Sequence, residues 1–133
     1  MQITQILAKL VTEALESAQT TGALPAAGEV DIKIERPKLA EHGDFSTSLP
    51  LTLARTMRLP PIQIAAAIVD AMPQDEIIGS VTIAAPGFVN FTLSTHWLQS
   101  QVNIVRCLGE KFGTVNSGLG KSVQVEFVSV NPT

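Results

Sequence analysis

The stretch VTIAAPGFVNFTL, residues 81–93, decides the fold of this chain. Two mainly apolar segments, residues 81–85 and 88–93, are joined by Ala85-Pro86-Gly87, a sequence typical of a turn. Both segments are short enough to be strands, and the turn between them brings them side by side. They are therefore predicted to pair as a hairpin.

The second strand of this hairpin has two chemically different faces. Its period of two places Val89, Phe91 and Leu93 on one side, which is the expected core face. Phe88 and Asn90 lie on the other side, where the ring can stack on an unpaired base and the amide can read that base's edge. Alternatively, Phe88 packs under a loop and Asn90 bonds to backbone. The pattern alone favours this second interpretation, because isolated exposed apolar residues are common.

A helix and a strand are predicted before the hairpin. Apolar residues recur at helical spacing over residues 1–20, and Gly22 ends the pattern. Residues 30–35 then alternate apolar and polar side chains, which is typical of a half-buried strand. Residues 38–44 are polar and are predicted to form a loop.

Three more helices complete the expected architecture. Their predicted starting signals are a Ser46 or Thr47 cap with Pro50 in the first turn, Pro61 at the first helical position, and a Ser94 or Thr95 cap. The fourth helix carries apolar residues at helical spacing from Trp97 to Leu108. Consecutive helices and an antiparallel hairpin favour an α+β fold, a small antiparallel sheet with about four helices packed on one face.

The chain ends in a different pattern. Residues 113–121 are rich in Gly and Ser and are predicted to be a connector. Residues 122–133 begin as an apolar strand and end in Ser, Asn and Pro, so that polar groups stand at the strand's carboxyl end. In open α/β sheets ligands bind there, although a frayed tail is the alternative. Residues 1–112 are thus expected to be one domain, and residues 122–133 the start of another.

Composition limits the class of protein. The 133 residues are 45% hydrophobic and 16% charged, which fits a globular domain. No apolar run approaches the roughly 20 residues of a spanning helix, and the N-terminus does not resemble a signal peptide. The single Cys107 leaves no internal disulfide and no cysteine-based zinc site. We therefore expect a cytoplasmic protein without a membrane partner.

The net charge of −3 argues against a self-sufficient RNA-binding module, since such proteins usually neutralise phosphates with basic residues. It is compatible with a few base contacts inside a larger enzyme. His42, Asp44 and Ser46 stand close together, but proximity in a loop does not create a nucleophile–base array. Ordinary turn and helix-cap chemistry explains Gly43, Asp44 and Ser46 better.

Four segments together resemble arginyl-tRNA synthetases, which are class I aminoacyl-tRNA synthetases. HGDFST at residues 42–47 resembles the family's Gly-Asp-aromatic segment ahead of a helix, and PIQIA at 61–65 resembles its Pro-x-x-Ile-Ala helix start. APGFVNF at 85–91 is similar to its Gly/Ala-Pro-Gly-Phe-Ile-Asn-Phe hairpin. EFVSVNPT at 126–133 resembles the segment that leads into the HIGH signature. The ordered set covers most of the chain and is specific.

The resemblance implies that the full-length enzyme joins arginine to its tRNA through an adenylate, with ATP and Mg²⁺ as substrate. Residues 1–112 would be the N-terminal domain that touches the tRNA D-loop, with Phe88 and Asn90 at the positions that meet a D-loop base. Residues 122–133 would be the first strand of a truncated Rossmann-type catalytic domain.

Within that strand, the resemblance implies that Ser129 and Asn131 contact the arginine substrate and that Glu126 lies near its guanidinium group. The HIGH region would start at Val130, Asn131, Pro132 and Thr133. The histidines of that signature and a KMSKS-type lysine loop are not in the sequence. We therefore expect this chain alone to be inactive, with no catalytic or metal-binding residue. Separately, we expect the parent enzyme to be a monomer. The alternative is a free-standing, non-catalytic protein- or RNA-binding domain derived from a synthetase.

Overall fold

The computed structural model describes residues 2–111. Within this range the chain forms four α-helices and three strands. The helices are α1 (Ile3–Thr20), α2 (Leu49–Met57), α3 (Pro61–Asp70) and α4 (Thr95–Leu108), and the strands are β1 (Phe45–Thr47), β2 (Ile78–Ala84) and β3 (Phe88–Leu93). Short 3-10 helices lie at Ala40–His42 and Gly109–Lys111.

The three strands form one antiparallel sheet in the order β1-β3-β2. The predicted hairpin is confirmed: β2 and β3 pair along their length and residues 85–87 form the turn. The register aligns Ser46 of β1 and Thr82 of β2 with Asn90 of the central strand. These three polar residues therefore form a row across one face of the sheet.

The other face of the sheet carries the core. Val89 and Phe91 are fully buried there, as the alternation predicted. Helices α2 and α3 pack on this side, and α1 packs on α3. The predicted apolar stripe of α1 is confirmed, and the α1 residues that are buried in this core are Leu7, Leu10, Val11, Ala14, Leu15 and Ala18. The predicted start of α3 at Pro61 is also confirmed.

The predicted strand at residues 30–35 was wrong. Val30, Ile32 and Ile34 do pack against the core, which explains the alternation. Their backbone joins no ladder, and only Glu35 forms a bridge, to Ser46. The edge of β3 is occupied instead by β1, so the third strand of the sheet comes from a segment that the sequence pattern assigned to a helix cap.

The predicted N-cap of α2 was also wrong, because both candidate residues lie in a strand. Ser46 and Thr47 belong to β1, and α2 begins after Ser48. The Thr47 hydroxyl still accepts a hydrogen bond from the backbone N–H of Leu49 at 3.3 Å. The fourth helix starts as expected, because the Ser94 hydroxyl accepts a hydrogen bond from the backbone N–H of Trp97 at 3.1 Å.

The prediction that four helices pack on one face of the sheet was only partly right. No residue of α4 is buried, and the predicted apolar stripe faces solvent, with Val102 58% exposed. Trp97, in the first turn, is half-buried against the core. The helix therefore leaves the sheet after its first turn. Spacing predicted its amphipathic character but could not predict what its apolar side contacts.

The predicted connector at 113–121, the strand at 122–133 and the domain boundary at residue 112 lie outside the described residues. Between residues 2 and 111, no helix combines the length and the apolarity that crossing a membrane requires.

Candidate functional site

A cleft of about 590 Å³ opens on the sheet face opposite the core. Ser46 of β1, Phe88 and Asn90 of β3 and Ala84 of β2 line it from the sheet side. The opposite wall is the segment that we call the 35–42 loop, which runs from the Glu35 bridge to the 3-10 helix at His42. The structure thus brings the two residues predicted to contact RNA to one cleft.

Phe88 and Asn90 share a face of β3 but differ in burial. Phe88 is half-buried, and Asn90 is only 4% exposed, because the 35–42 loop covers this part of the sheet. The Asn90 side chain is therefore largely covered and is not an openly exposed amide. The position of Phe88 under a loop matches the first half of the alternative interpretation.

The second half of that alternative, an Asn90 amide bonded to backbone, is not what the structure has. Within residues 2–111 the Asn90 side chain makes no hydrogen bond to another protein group. No fully buried side-chain nitrogen or oxygen in that range lacks a partner, so the amide keeps its contact with solvent through the cleft. A ligand that enters the cleft meets an unpaired amide beside an aromatic ring.

The loop wall carries the charged and apolar groups of the cleft. Arg36 and Lys38 are exposed, and the Arg36 guanidinium carbon lies 5.4 Å from the centroid of the Phe45 ring, a cation–π contact. Leu39 is 53% exposed, and His42 is half-buried. The cleft therefore combines an aromatic ring, an amide and the exposed Lys38, whereas the Arg36 guanidinium lies over Phe45, which pairs with Phe91 on the core face.

Sequence reasoning missed the loop residues as part of a site. It assigned residues 38–44 to a polar loop and gave no role to Arg36, Lys38 or Leu39. Two cations on either side of Pro37 are a usable local signal. Their relation to Phe88 and Asn90, some fifty positions later, depends on the pairing of β1 with β3 and is not visible in the sequence.

Asp44 has a structural role. Its Oδ2 accepts a hydrogen bond from the backbone N–H of Leu93 at 2.8 Å, which ties the end of the loop to β3. Within the described residues, the side chains of His42, Asp44 and Ser46 make no hydrogen bond to one another. Gly43 and Asp44 therefore have turn roles, whereas Ser46 lies in β1 and caps no helix.

Two predicted groups of residues remain beyond the described range. Glu126, Ser129 and Asn131, the predicted arginine contacts, lie there, and so does the predicted start of the HIGH region at residues 130–133. Between residues 2 and 111 there is no cluster of three His, Cys, Asp or Glu side chains that could hold a metal ion.

Comparison with known proteins identifies relatives of this chain. The family model described as arginyl tRNA synthetase N terminal domain matches residues 5–93. An arginine–tRNA ligase of Dehalococcoides mccartyi (strain CBDB1) is 39% identical over 133 residues, which is 100% of this chain and 24% of the relative. One from Ruminiclostridium cellulolyticum is 41% identical over 133 residues, or 99% of this chain and 24% of the relative. The chain spans about a quarter of the length of these curated relatives.

Solved structures have the same fold. The arginyl-tRNA synthetase of Thermus thermophilus matches with a TM-score of 0.57 and 26% identity, over 75% of this chain and 15% of that one. That of Plasmodium falciparum matches with a TM-score of 0.61 over 75% of this chain and 17% of that one, and at 14% identity it supports the fold alone. The family model covers well over half of the chain and agrees with these neighbours, so the chain belongs to the arginyl-tRNA synthetase N-terminal domain family.

Proposed function

We propose that this chain is the tRNA-contacting N-terminal domain of an arginine–tRNA ligase and that Phe88 and Asn90 hold a base of the tRNA D-loop. The ring would stack on the base, and the amide would bond to the base's edge. Sequence-specific RNA recognition usually takes this form, with an unpaired base placed on an aromatic side chain and read along its polar edge.

The observation that carries this proposal is the unpaired Asn90 amide. The Asn90 side chain is only 4% exposed, so its amide has little contact with solvent, and it makes no hydrogen bond to protein within residues 2–111. Buried polar side chains normally pair with protein or with ordered water, and one such hydrogen bond is worth about 0.5–1.5 kcal/mol. A base edge in the cleft offers the donor and acceptor that the amide lacks, while Phe88 supplies an apolar surface beside it.

The test is kinetic and uses the full-length ligase that contains this domain. Phe88→Ala should lower kcat/KM for the cognate tRNA. The loss should correspond to about 1–3 kcal/mol of transition-state stabilisation, the range for one lost base–aromatic stack. Asn90→Ala should lower it by about 0.5–1.5 kcal/mol, the net value of one hydrogen bond, and should reduce discrimination among D-loop bases. Rings stack on any base, so Phe88→Ala should leave that discrimination largely intact.

Two controls separate stacking from packing. Phe88→Tyr keeps the ring and should retain tRNA use, whereas Phe88→Leu keeps apolar volume without a ring and should behave like Phe88→Ala. Thermal unfolding of each variant reports folding independently. If Phe88→Ala destabilises the domain while the folded enzyme keeps its normal response to tRNA, the ring is a packing residue and the proposal is wrong.

The wider activity is part of the same proposal. The full-length enzyme would attach arginine to tRNA, with ATP and Mg²⁺, in the cytoplasm and as a monomer. At the start of the catalytic domain, the arginine substrate would be contacted by Ser129, Asn131 and Glu126. This chain alone would be inactive, and arginine-dependent exchange of pyrophosphate into ATP above a no-protein control would contradict that expectation.

A second candidate function is a free-standing domain that binds a protein partner. The observation that favours it is the exposed apolar side of α4. The reading frame beyond codon 133 separates the two candidates. A continuing frame that encodes the HIGH signature supports the ligase, and a stop codon supports the free-standing domain.

A further inference from the structure

The floor of the cleft holds two buried polar side chains that the fold leaves unpaired. Within residues 2–111 the buried polar residues are Ser46, which is 8% exposed, Thr47 and Asn90. The Thr47 hydroxyl accepts a hydrogen bond from a backbone N–H, whereas the side chains of Ser46 and Asn90 make none to protein in that range. Both unpaired residues line the cleft. Unpaired buried polarity in the described part of the chain is therefore concentrated at one place.

Strand pairing brings these two side chains together. Ser46 lies directly opposite Asn90 in the ladder between β1 and β3. The backbone N–H and carbonyl of Ser46 both bond to Glu35, with N–O distances of 2.7 and 2.9 Å, so Ser46 and Asn90 are a non-hydrogen-bonded pair. In such pairs the side chains approach most closely, with Cβ atoms about 4.5–5.5 Å apart. The hydroxyl and the amide are therefore neighbours in the cleft.

The other neighbours of Ser46 do not satisfy its hydroxyl. Phe45, the preceding residue, packs in the core, so the alternation of β1 places the Ser46 side chain on the cleft face. Glu35 is exposed, and within the described residues its carboxylate makes no hydrogen bond to Ser46. Since no fully buried side-chain oxygen or nitrogen in that range lacks a partner, the hydroxyl keeps its contact with solvent through the cleft.

The pair offers more hydrogen-bonding capacity than an amide alone. The Asn90 amide has a carbonyl acceptor and an NH₂ donor, and the Ser46 hydroxyl both donates and accepts. A side-chain amide pairs with two adjacent polar groups of a base edge, and a hydroxyl can bond to either a donor or an acceptor. The pair can therefore contact three polar groups of one base edge.

We infer that the Ser46 hydroxyl is a second base-reading group, which bonds together with the Asn90 amide to the edge of the base that stacks on Phe88. This inference rests on the proposed function and adds a specificity-determining residue to it. A base with a polar group at the hydroxyl gains one hydrogen bond there. A base that presents a C–H or a methyl group leaves the hydroxyl unpaired and loses the bond. Ser46 therefore contributes to discrimination among bases.

The test measures kcat/KM of the full-length ligase on the cognate tRNA transcript and on a panel of transcripts, each with one D-loop base replaced. Ser46→Ala removes the hydroxyl and keeps the backbone bonds to Glu35. It should lower kcat/KM for the unaltered transcript about 2- to 12-fold, which corresponds to one net hydrogen bond of about 0.5–1.5 kcal/mol. The replacement that impairs the wild type most identifies the base that is read. On that transcript Ser46→Ala should have a smaller further effect, because the contact is already lost.

Thr82→Val is the matched control. Thr82 lies on the other side of Asn90 in the same row, but it is exposed and does not line the cleft. Loss of its hydroxyl should leave kcat/KM and the preference among D-loop bases at wild-type values. Ser46→Cys replaces the hydroxyl by a thiol, which is a weak donor and acceptor, and should behave like Ser46→Ala.

The outcomes separate this inference from the proposed function. If Phe88→Ala and Asn90→Ala impair tRNA use while Ser46→Ala matches Thr82→Val, the base contact stands and the role of Ser46 is wrong. An equal loss for Ser46→Ala on every transcript, including the one with the read base replaced, would also overturn the inference, because the hydroxyl would not then be reading a base. If neither Phe88→Ala nor Asn90→Ala has an effect, the proposed function itself fails.

Thermal unfolding supplies a readout that does not depend on RNA. The Ser46 hydroxyl has no protein partner to lose, so Ser46→Ala should unfold near the wild-type temperature. A large drop for Ser46→Ala, without any change in base preference, would mean that the hydroxyl supports the fold and would contradict the inference. Ser46→Cys keeps the kinetic test decisive if Ser46→Ala does not fold.

Discussion

At the scale of single residues, Gly43 determines where the cleft wall meets the sheet. Its backbone, at φ 95° and ψ −159°, occupies a region that only glycine adopts readily. A Cβ placed there would lie 2.7 Å from the Phe91 carbonyl oxygen and 2.9 Å from Thr92 Oγ1. The first of these is backbone of the central strand and cannot move without disturbing the ladder.

Gly43→Ala should therefore lower the free energy of unfolding by about 1–3 kcal/mol, the cost of one strained backbone conformation. Gly28→Ala is the control, because Gly28 also has a positive φ but has no atom within 4 Å of the added Cβ. Urea denaturation of both variants gives the comparison. Equal losses would mean that contact with β3 contributes nothing and that Gly43 is needed only for its backbone angles.

At the residue scale, the sequence predicted which side chains of β3 share a face, but not what lies beside them. A period of two was enough to place Phe88 and Asn90 together, opposite Val89 and Phe91. It could not give the burial of Asn90 or the presence of Lys38 in the same cleft. Both depend on a loop that reaches the cleft through strand pairing distant in sequence, and periodicity contains no information on such contacts.

At the scale of secondary-structure elements, α4 is the helix whose side chains contribute least to the core. Apolar side chains of α4 such as Leu98 and Val102 are exposed to solvent, whereas α1 buries Leu7 and Val11 completely. The free energy of a leucine-to-alanine change depends on the apolar contacts that are lost and on the cavity that remains. An exposed leucine has few of either.

Leu98→Ala should change the free energy of unfolding by no more than about 0.5 kcal/mol, the usual range for surface substitutions. Leu7→Ala, the same change on a buried helix face, should cost about 2–5 kcal/mol. Chemical denaturation of the 133-residue chain measures both. A loss above about 2 kcal/mol for Leu98→Ala, in the buried range, would show that α4 covers a second apolar surface.

Elements were predictable from sequence where their signals are local. Caps, prolines and helical spacing located four helices, and the turn at residues 85–87 located the hairpin. The third strand was assigned to the wrong segment: residues 45–47 pair with β3, whereas Val30, Ile32 and Ile34 pack against the core without joining a ladder. Alternation describes which side of a segment is buried, and strand propensity depends strongly on neighbouring strands. Only the pairing partner decides which segment forms the ladder.

At the scale of the whole molecule, the negative net charge of the chain disfavours binding of RNA, a polyanion. The chain has nine basic and twelve acidic residues, so a polyanion approaching it meets net repulsion at low salt. Among the described residues that line the cleft, Lys38 is exposed and forms no ion pair or hydrogen bond. Binding of tRNA by this chain alone should therefore depend on about one phosphate contact and one base, with little help from long-range attraction.

The 133-residue chain by itself should bind the cognate tRNA transcript weakly, with a dissociation constant at or above about 10⁻⁴ M at physiological salt, the weak end of non-specific binding. The slope of log K against log salt should lie between about −0.7 and −0.9, the value for one phosphate. Titration by fluorescence anisotropy at several salt concentrations measures both quantities. A slope steeper than about −5, typical of six or more contacts, would mean that a larger basic surface binds the RNA than the cleft provides. A shallow slope that Lys38→Gln makes shallower still would place the contact at Lys38. Lys33→Gln is the control, because Lys33 is exposed but lines a different cleft, and it should leave the slope unchanged.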